Sequence, residues 1–266
     1  MQEQTDWNDA YANGPYIAGA SDYPPRWIKD AQAFRDELSQ QGRAKLDVPY
    51  GDTPRQTYDL FSPEGSAKGL MIFVHGGYWL NFDCKSWSHF ATGALARGWS
   101  VAMPSYDLCP DVSIAEITQQ IARAVTSIAA AVPGPITLSG HSAGGHLVAR
   151  MLAPDMLPGA VVDRIQMVAP ISPVSDLRPL LNTDMNHSLK MDEAAASAES
   201  PALYPAPDTP VHVFVGEEER PAFLDQSHWL SKAWSIPETV VPGKHHFDVI
   251  DGLQDQDSDM VRCLTS

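Results

Sequence analysis

The sequence predicts an α/β protein built on a mostly parallel, doubly wound sheet with flanking helices, and three observations predict it. The continuous apolar run at Leu70–Val74 lacks the alternation of a half-exposed strand, which marks a strand buried on both faces, and Ile165–Val168 and Val211–Val215 are read as further buried strands. Segments of helical apolar spacing separate these runs, so strands and helices alternate along the chain. A further apolar run from Ile136 reaches Gly140, turns at Ser142 and continues as an apolar helix, a strand feeding a helix across one sharp residue. At 266 residues and 44% hydrophobic content, one large core is affordable, and a single domain over residues 1–266 is expected.

Residues 1–25 carry Tyr11, Gly14, Pro15, Tyr16, Gly19, Pro24 and Pro25, which break regular structure but include too many aromatics for a free tail. They are read as an arm packed on the body, over the site. Apolar positions Trp27, Ile28, Ala31, Phe34 and Leu38 predict a helix over Trp27–Gln40 that Gly42 ends, so residues 1–42 form arm plus helix. Ala44–Tyr50 and Gln56–Phe61 alternate apolar and polar as antiparallel strands do, and Ser62-Pro63-Glu64-Gly65 is a turn. After the buried strand at 70–74, a helix is predicted over Ser86–Arg97, a strand over Trp99–Met103, and a long helix over Ile114–Val132 closed by Pro133-Gly134-Pro135. Behind the serine turn come the strand at Ile165, then a loop and short helix over Ser172–Leu181. Residues 182–210, rich in Ala, Ser and Pro, are an excursion near the site with one helical patch, Asp192–Ala198. The strand at Val211, a helix over Phe223–Trp234, a strand at Thr239–Val241 and the loop Pro242–Phe247 complete the chain.

Composition removes several classes of function. With 18 Lys and Arg against 33 Asp and Glu the net charge is −15 and no basic cluster occurs, so phosphate backbones are repelled and a nucleic-acid partner is excluded. No run of 18 apolar residues suggests a membrane span. The three cysteines, Cys84, Cys109 and Cys263, are odd in number and unpaired in spacing, which fits a reducing compartment and a cytoplasmic protein. Adjacent His245 and His246 do not have the i, i+4 spacing of a helical zinc site and H-E-x-x-H is absent, so neither metal nor organic cofactor is expected. The sequence leaves the oligomeric state open.

Chemistry gathers at the serine turn. Gly140-His141-Ser142-Ala143-Gly144 is a nucleophile elbow, in which glycines two before and two after the serine let strand and helix cross while the hydroxyl is lifted out. His75-Gly76-Gly77-Tyr78-Trp79, at the end of a buried strand, folds so that successive N–H groups point into a cleft, as an oxyanion hole requires. A serine hydroxyl needs a base and a carboxylate that orients the base. Of the later histidines, His146, His212 and His228 fall on regular elements, whereas His245 and His246 lie in the loop after the last strand. Glu219, the third residue after Gly216 at a strand end, is the favoured acid, with Asp176 as its rival.

These segments, with Tyr106-Asp107-Leu108-Cys109-Pro110 and His245-His246-Phe247-Asp248, resemble the kynurenine formamidase (arylformamidase) family from about residue 70 to 250. That family belongs to the α/β-hydrolases and is related to hormone-sensitive-lipase-type esterases. The resemblance implies the α/β-hydrolase fold, Ser142 as nucleophile, His246 as base, Glu219 as acid and oxyanion N–H groups from Gly77, Tyr78 and Ala143. The family more often places aspartate at the acid. The substrate is then a small molecule, an aryl formamide such as N-formyl-L-kynurenine, cleaved through a formyl-enzyme. Bulky Tyr78 and Trp79 after the oxyanion donors suggest a short acyl pocket, with Tyr78, Trp79, Phe82 or the arm against the aromatic leaving group. A general carboxylesterase and a non-catalytic ligand-binding protein are the alternatives.

Overall fold

Eight strands form one sheet in the computed structural model, which describes residues 5–154 and 156–266. They are β1 (Ala44–Pro49), β2 (Thr57–Phe61), β3 (Leu70–Val74), β4 (Ser100–Pro104), β5 (Ile136–His141), β6 (Ile165–Ile171), β7 (Val213–Gly216) and β8 (Glu238–Val241). Across the sheet the order is β1-β2-β4-β3-β5-β6-β7-β8. The β1–β2 and β2–β4 pairs are antiparallel and all others are parallel, which is the α/β-hydrolase arrangement that the sequence predicts. Every residue of β3, β4 and β5 is buried, because helices cover both faces of the sheet centre.

Helix Ile114–Ala131 shows how local chemistry sets an element. Ser113 Oγ accepts from the Glu116 N–H while the Glu116 carboxylate accepts from the Ser113 N–H, a capping box that satisfies two otherwise orphaned donors. Ile114, Ile117, Ile121, Val125 and Ile128 then fall on its buried face.

Several boundaries differ from the sequence expectation. The first long helix starts at Tyr23 rather than Trp27, with Pro24 and Pro25 in its opening turn, where the missing N–H groups have no intrahelical partner to lose. The helix expected over Ser86–Arg97 is broken into 3-10 turns at Cys84–Ser86 and Ser88–Ala91, and only Thr92–Ala96 is α-helical. There the Arg35 guanidinium donates to the Lys85 carbonyl and to Ser88 Oγ, taking a carbonyl that a continuous helix would need. In the excursion, a short helix at Asn186–Leu189 joins the one at Glu193–Ala198, and Leu189 and Ala196 pack into the same core as β3 and β5. Of the N-terminal arm, residues 1–4 lie outside the described residues. From Trp7 onward it forms short turns whose Tyr11 is 2% exposed.

Three enclosed histidines, His75, His89 and His146, have their pKa lowered to about 4, chiefly by burial. In the unfolded chain they titrate near the ordinary value of about 6.5, so their contribution to stability is complete above that pH and is lost as pH falls towards 4. Unfolding free energy is expected to drop by about 1.4 kcal/mol per pH unit for each such histidine inside that window. Urea titrations at pH 7, 6 and 5 measure it, and a flat profile contradicts it.

Candidate active site

Ser142 joins β5 to the helix Ala143–Arg150 with φ 56° and ψ −116°, a backbone region that non-glycine residues seldom adopt. The turn is possible because its neighbours lack side chains. A Cβ on Gly140 would lie 2.3 Å from the Gly144 carbonyl oxygen, and one on Gly144 would lie 2.0 Å from that of Val74, so β5, β3 and the helix meet through bare backbone. The Ser142 N–H donates to the Ile171 carbonyl at 2.8 Å and the His146 N–H to the Ser142 carbonyl at 3.0 Å, which pins the turn on both sides.

Glu219 lies in the turn after β7, and its side chain is wholly enclosed. One carboxylate oxygen, Oε1, accepts from the Gly216 N–H at 2.9 Å and from Ser172 Oγ. The other, Oε2, accepts from His246 Nδ1 at 2.6 Å. That bond places the proton on Nδ1 and leaves Nε2 as the basic nitrogen. The His246 ring, in the loop after β8, packs against Phe223 at 4.3 Å and against His141, the residue before Ser142, at 4.6 Å between centroids. Burial and the neighbouring His246 hold His141 far below the usual histidine range, so it remains neutral. No hydrogen bond joins Ser142 Oγ to His246 at rest, as is common in unliganded hydrolases whose contacts tighten on binding.

The competing assignments are occupied elsewhere. His245 Nε2 meets the Tyr23 hydroxyl at 3.0 Å, and its Nδ1 accepts from the Phe247 N–H. Asp176 is held by Arg178 at 2.6 Å, which with a further hydrogen bond from the Arg178 N–H outweighs burial and lowers its pKa. Glu217 accepts from the Gly243 N–H.

In the loop after β3, Gly77, Tyr78 and Trp79 have φ of 117°, 55° and 59°. The N–H groups of Gly77, Tyr78 and Ala143 donate to no protein acceptor among the described residues, and a Cβ on Gly76 would stand 3.1 Å from Ser142 Cβ. His75 stacks on Tyr106 at 4.2 Å, and the Tyr106 hydroxyl donates to the His75 carbonyl, fixing the start of the loop.

The aromatic assignments need one correction. Trp79 is 0% exposed, its ring set edge-on to His146 at 5.1 Å within the core, so it offers a ligand no face. Phe82 is partly buried and its ring stands against Gly77. Tyr78 lines a cavity of about 350 Å³ together with Tyr11, Asn13, Asp184, Met185 and Phe247. Sequence reading missed Ser172, His141, Tyr11, Asn13 and Gln226. Their roles arise from contacts between distant segments, and of these only the aromatic content of the arm was a signal. Among the described residues no cluster of three or more His, Cys, Asp or Glu is arranged to hold a metal, and no helix is long and apolar enough to cross a membrane.

A family model for the alpha/beta hydrolase fold matches residues 71–206. The kynurenine formamidase of Salmo salar is 30% identical over 236 residues, covering 82% of this chain and 80% of that protein. A crystal structure from Silicibacter sp. TM1040, of a protein provisionally called a thioesterase, is 57% identical and superimposes with a TM-score of 0.96 over 99% of this chain and 100% of that one. Esterase B of Lactobacillus rhamnosis, 17% identical with a TM-score of 0.66 over 90% of this chain and 91% of its own, shares the fold. With this fold, this serine turn and these relatives, the chain belongs to the kynurenine formamidase family of α/β-hydrolases.

Proposed function

We propose that the chain cleaves aryl formamides such as N-formyl-L-kynurenine by acyl transfer to Ser142. His246 Nε2 takes the hydroxyl proton as Ser142 Oγ attacks the formyl carbon, and Glu219 stabilises the imidazolium that forms. The oxyanion accepts hydrogen bonds from the N–H groups of Gly77, Tyr78 and Ala143. His246 then returns the proton to the aryl nitrogen as the C–N bond breaks, leaving a formyl ester on Ser142. A water molecule, deprotonated by His246, releases formate and regenerates the serine.

The observation that carries this reading is the enclosed Glu219–His246 hydrogen bond of 2.6 Å beside the strained Ser142. The Phe82 ring against Gly77 favours a small acyl group, and the cavity beside Tyr78, about 350 Å³, is large enough for an aromatic leaving group. A thioester substrate is the second reading, favoured by the designation of the Silicibacter protein. Comparing kcat/KM for N-formylkynurenine, phenyl acetate, phenyl butyrate and a short acyl thioester separates them. The formamide is expected to lead. Should the butyrate or the thioester lead with the formamide hardly turned over, the formamidase reading is overturned.

A further inference from the structure

The loop that offers Gly77 and Tyr78 N–H groups runs through three successive residues at positive φ, two of them not glycine. Such backbone persists only where its surroundings over-determine it. The flanks are accounted for. Tyr106 holds the His75 carbonyl, the Gly77 carbonyl accepts from the Leu80 and Asn81 N–H groups, and the Trp79 carbonyl accepts from the Cys109 N–H at 2.9 Å. What holds Tyr78 itself comes from the far end of the chain. Its hydroxyl donates to the Tyr11 carbonyl at 2.7 Å and accepts from Asn13 Nδ2 at 2.8 Å. Because that hydroxyl proton is committed to Tyr11, the Asn13 amide must present nitrogen rather than oxygen to Tyr78. Burial raises the phenol pKa, so the group remains a neutral donor.

The segment that grips Tyr78 is itself anchored beside the base. The Tyr11 hydroxyl accepts from Gln226 Nε2 at 2.7 Å, and the Tyr11 ring packs edge-on to Phe223 at 5.8 Å. Phe223 in turn lies 4.3 Å from the His246 ring. A single stretch of the arm thus ties the segment that carries the oxyanion donors to the helix that backs the histidine.

We infer that Tyr11 and Asn13 are positioning residues for the reaction, setting the oxyanion donors through the Tyr78 phenol; the inference rests on the proposed acyl transfer to Ser142. Neither residue has to touch substrate to do so. If Asn13 acts through Tyr78, then once the phenol is gone Asn13 has nothing further to contribute.

The experiment is a double-mutant cycle with Asn13→Ala, Tyr78→Phe and the double variant, and Tyr16→Phe as a control elsewhere on the arm. Each single change is expected to lower kcat/KM by about ten- to a hundredfold, through kcat with KM within about twofold, since oxyanion donors act in the transition state. The double variant is expected to be no worse than Tyr78→Phe alone. The rate of serine labelling by a fluorophosphonate is expected to fall in the same proportion, a readout independent of the natural substrate. Tyr16→Phe is expected to leave all three measures unchanged, and the thermal midpoints of the variants report whether they are folded. Additive losses, losses confined to KM, or labelling rates equal to wild type overturn the inference. A wild type that labels but ignores formamides removes only the formamidase reading, because the labelling cycle still tests the clamp. A wild type that does not label removes the serine mechanism and the inference together.

Discussion

Ser142→Ala, His246→Ala and the double variant are expected to share one residual rate, roughly four to six orders of magnitude below wild type. The equality is the informative part. In the proposed mechanism serine and histidine pass one proton between them, so removing either disables the other, and a second deletion has nothing left to remove. His245→Ala is expected to cost little by comparison, because that ring is turned to Tyr23 and to the backbone of residue 247. Steady-state kcat/KM on the preferred substrate measures all four. A His245→Ala variant more damaged than His246→Ala, or strictly additive losses, refutes the assignment.

Glu219→Gln is expected to lower kcat by roughly two to four orders of magnitude while leaving the fold intact. The geometry explains the size. Two donors, the Gly216 N–H and Ser172 Oγ, already meet Oε1, so a glutamine must place its carbonyl oxygen there. Its amide nitrogen then faces His246 Nδ1, which becomes an acceptor and shifts the ring proton to Nε2, the wrong nitrogen to receive a proton from Ser142. Ser172→Ala keeps the carboxylate and is expected to be far milder. Should Asp176→Asn prove the crippling change instead, the orienting carboxylate comes from the segment after β6. Circular dichroism and kcat for each variant check the claim.

The legibility of these features in the sequence follows the range of the forces behind them. Strand β3 was readable because full burial makes it uniformly apolar, and the serine turn because its glycines stand two before and two after Ser142, a pattern contained in five residues even though Gly144 is also held against the Val74 carbonyl of β3. The break after Cys84 was not readable, since Arg35, far back in the chain, takes the carbonyl of Lys85. Residue types alone left His245 and His246 open; the family resemblance favoured the second, and the structure shows it in contact with Glu219. Trp79 was misplaced because a bulky residue beside an oxyanion loop reads as a pocket wall, whereas here it fills the core under the loop. Asn13 carries no local signal and Tyr11 only the aromatic character of the arm, because their shared partner Tyr78 is more than sixty residues away.

Among the described residues, eight that are not glycine have positive φ, and five of them, Tyr78, Trp79, Phe82, Ser142 and Ser172, follow the carboxyl ends of β3, β5 and β6. Strained backbone is thus concentrated along one rim of an otherwise regular sheet. Each such residue carries on the order of 1–3 kcal/mol of conformational cost in the resting protein, comparable in sum with the whole stability margin of a domain. The rim is therefore where thermostability and turnover are set against each other. Substitutions that relax it are open to selection for a sturdier protein, and a lineage released from the need for activity would drift first at these five positions while the sheet beneath them stayed unchanged.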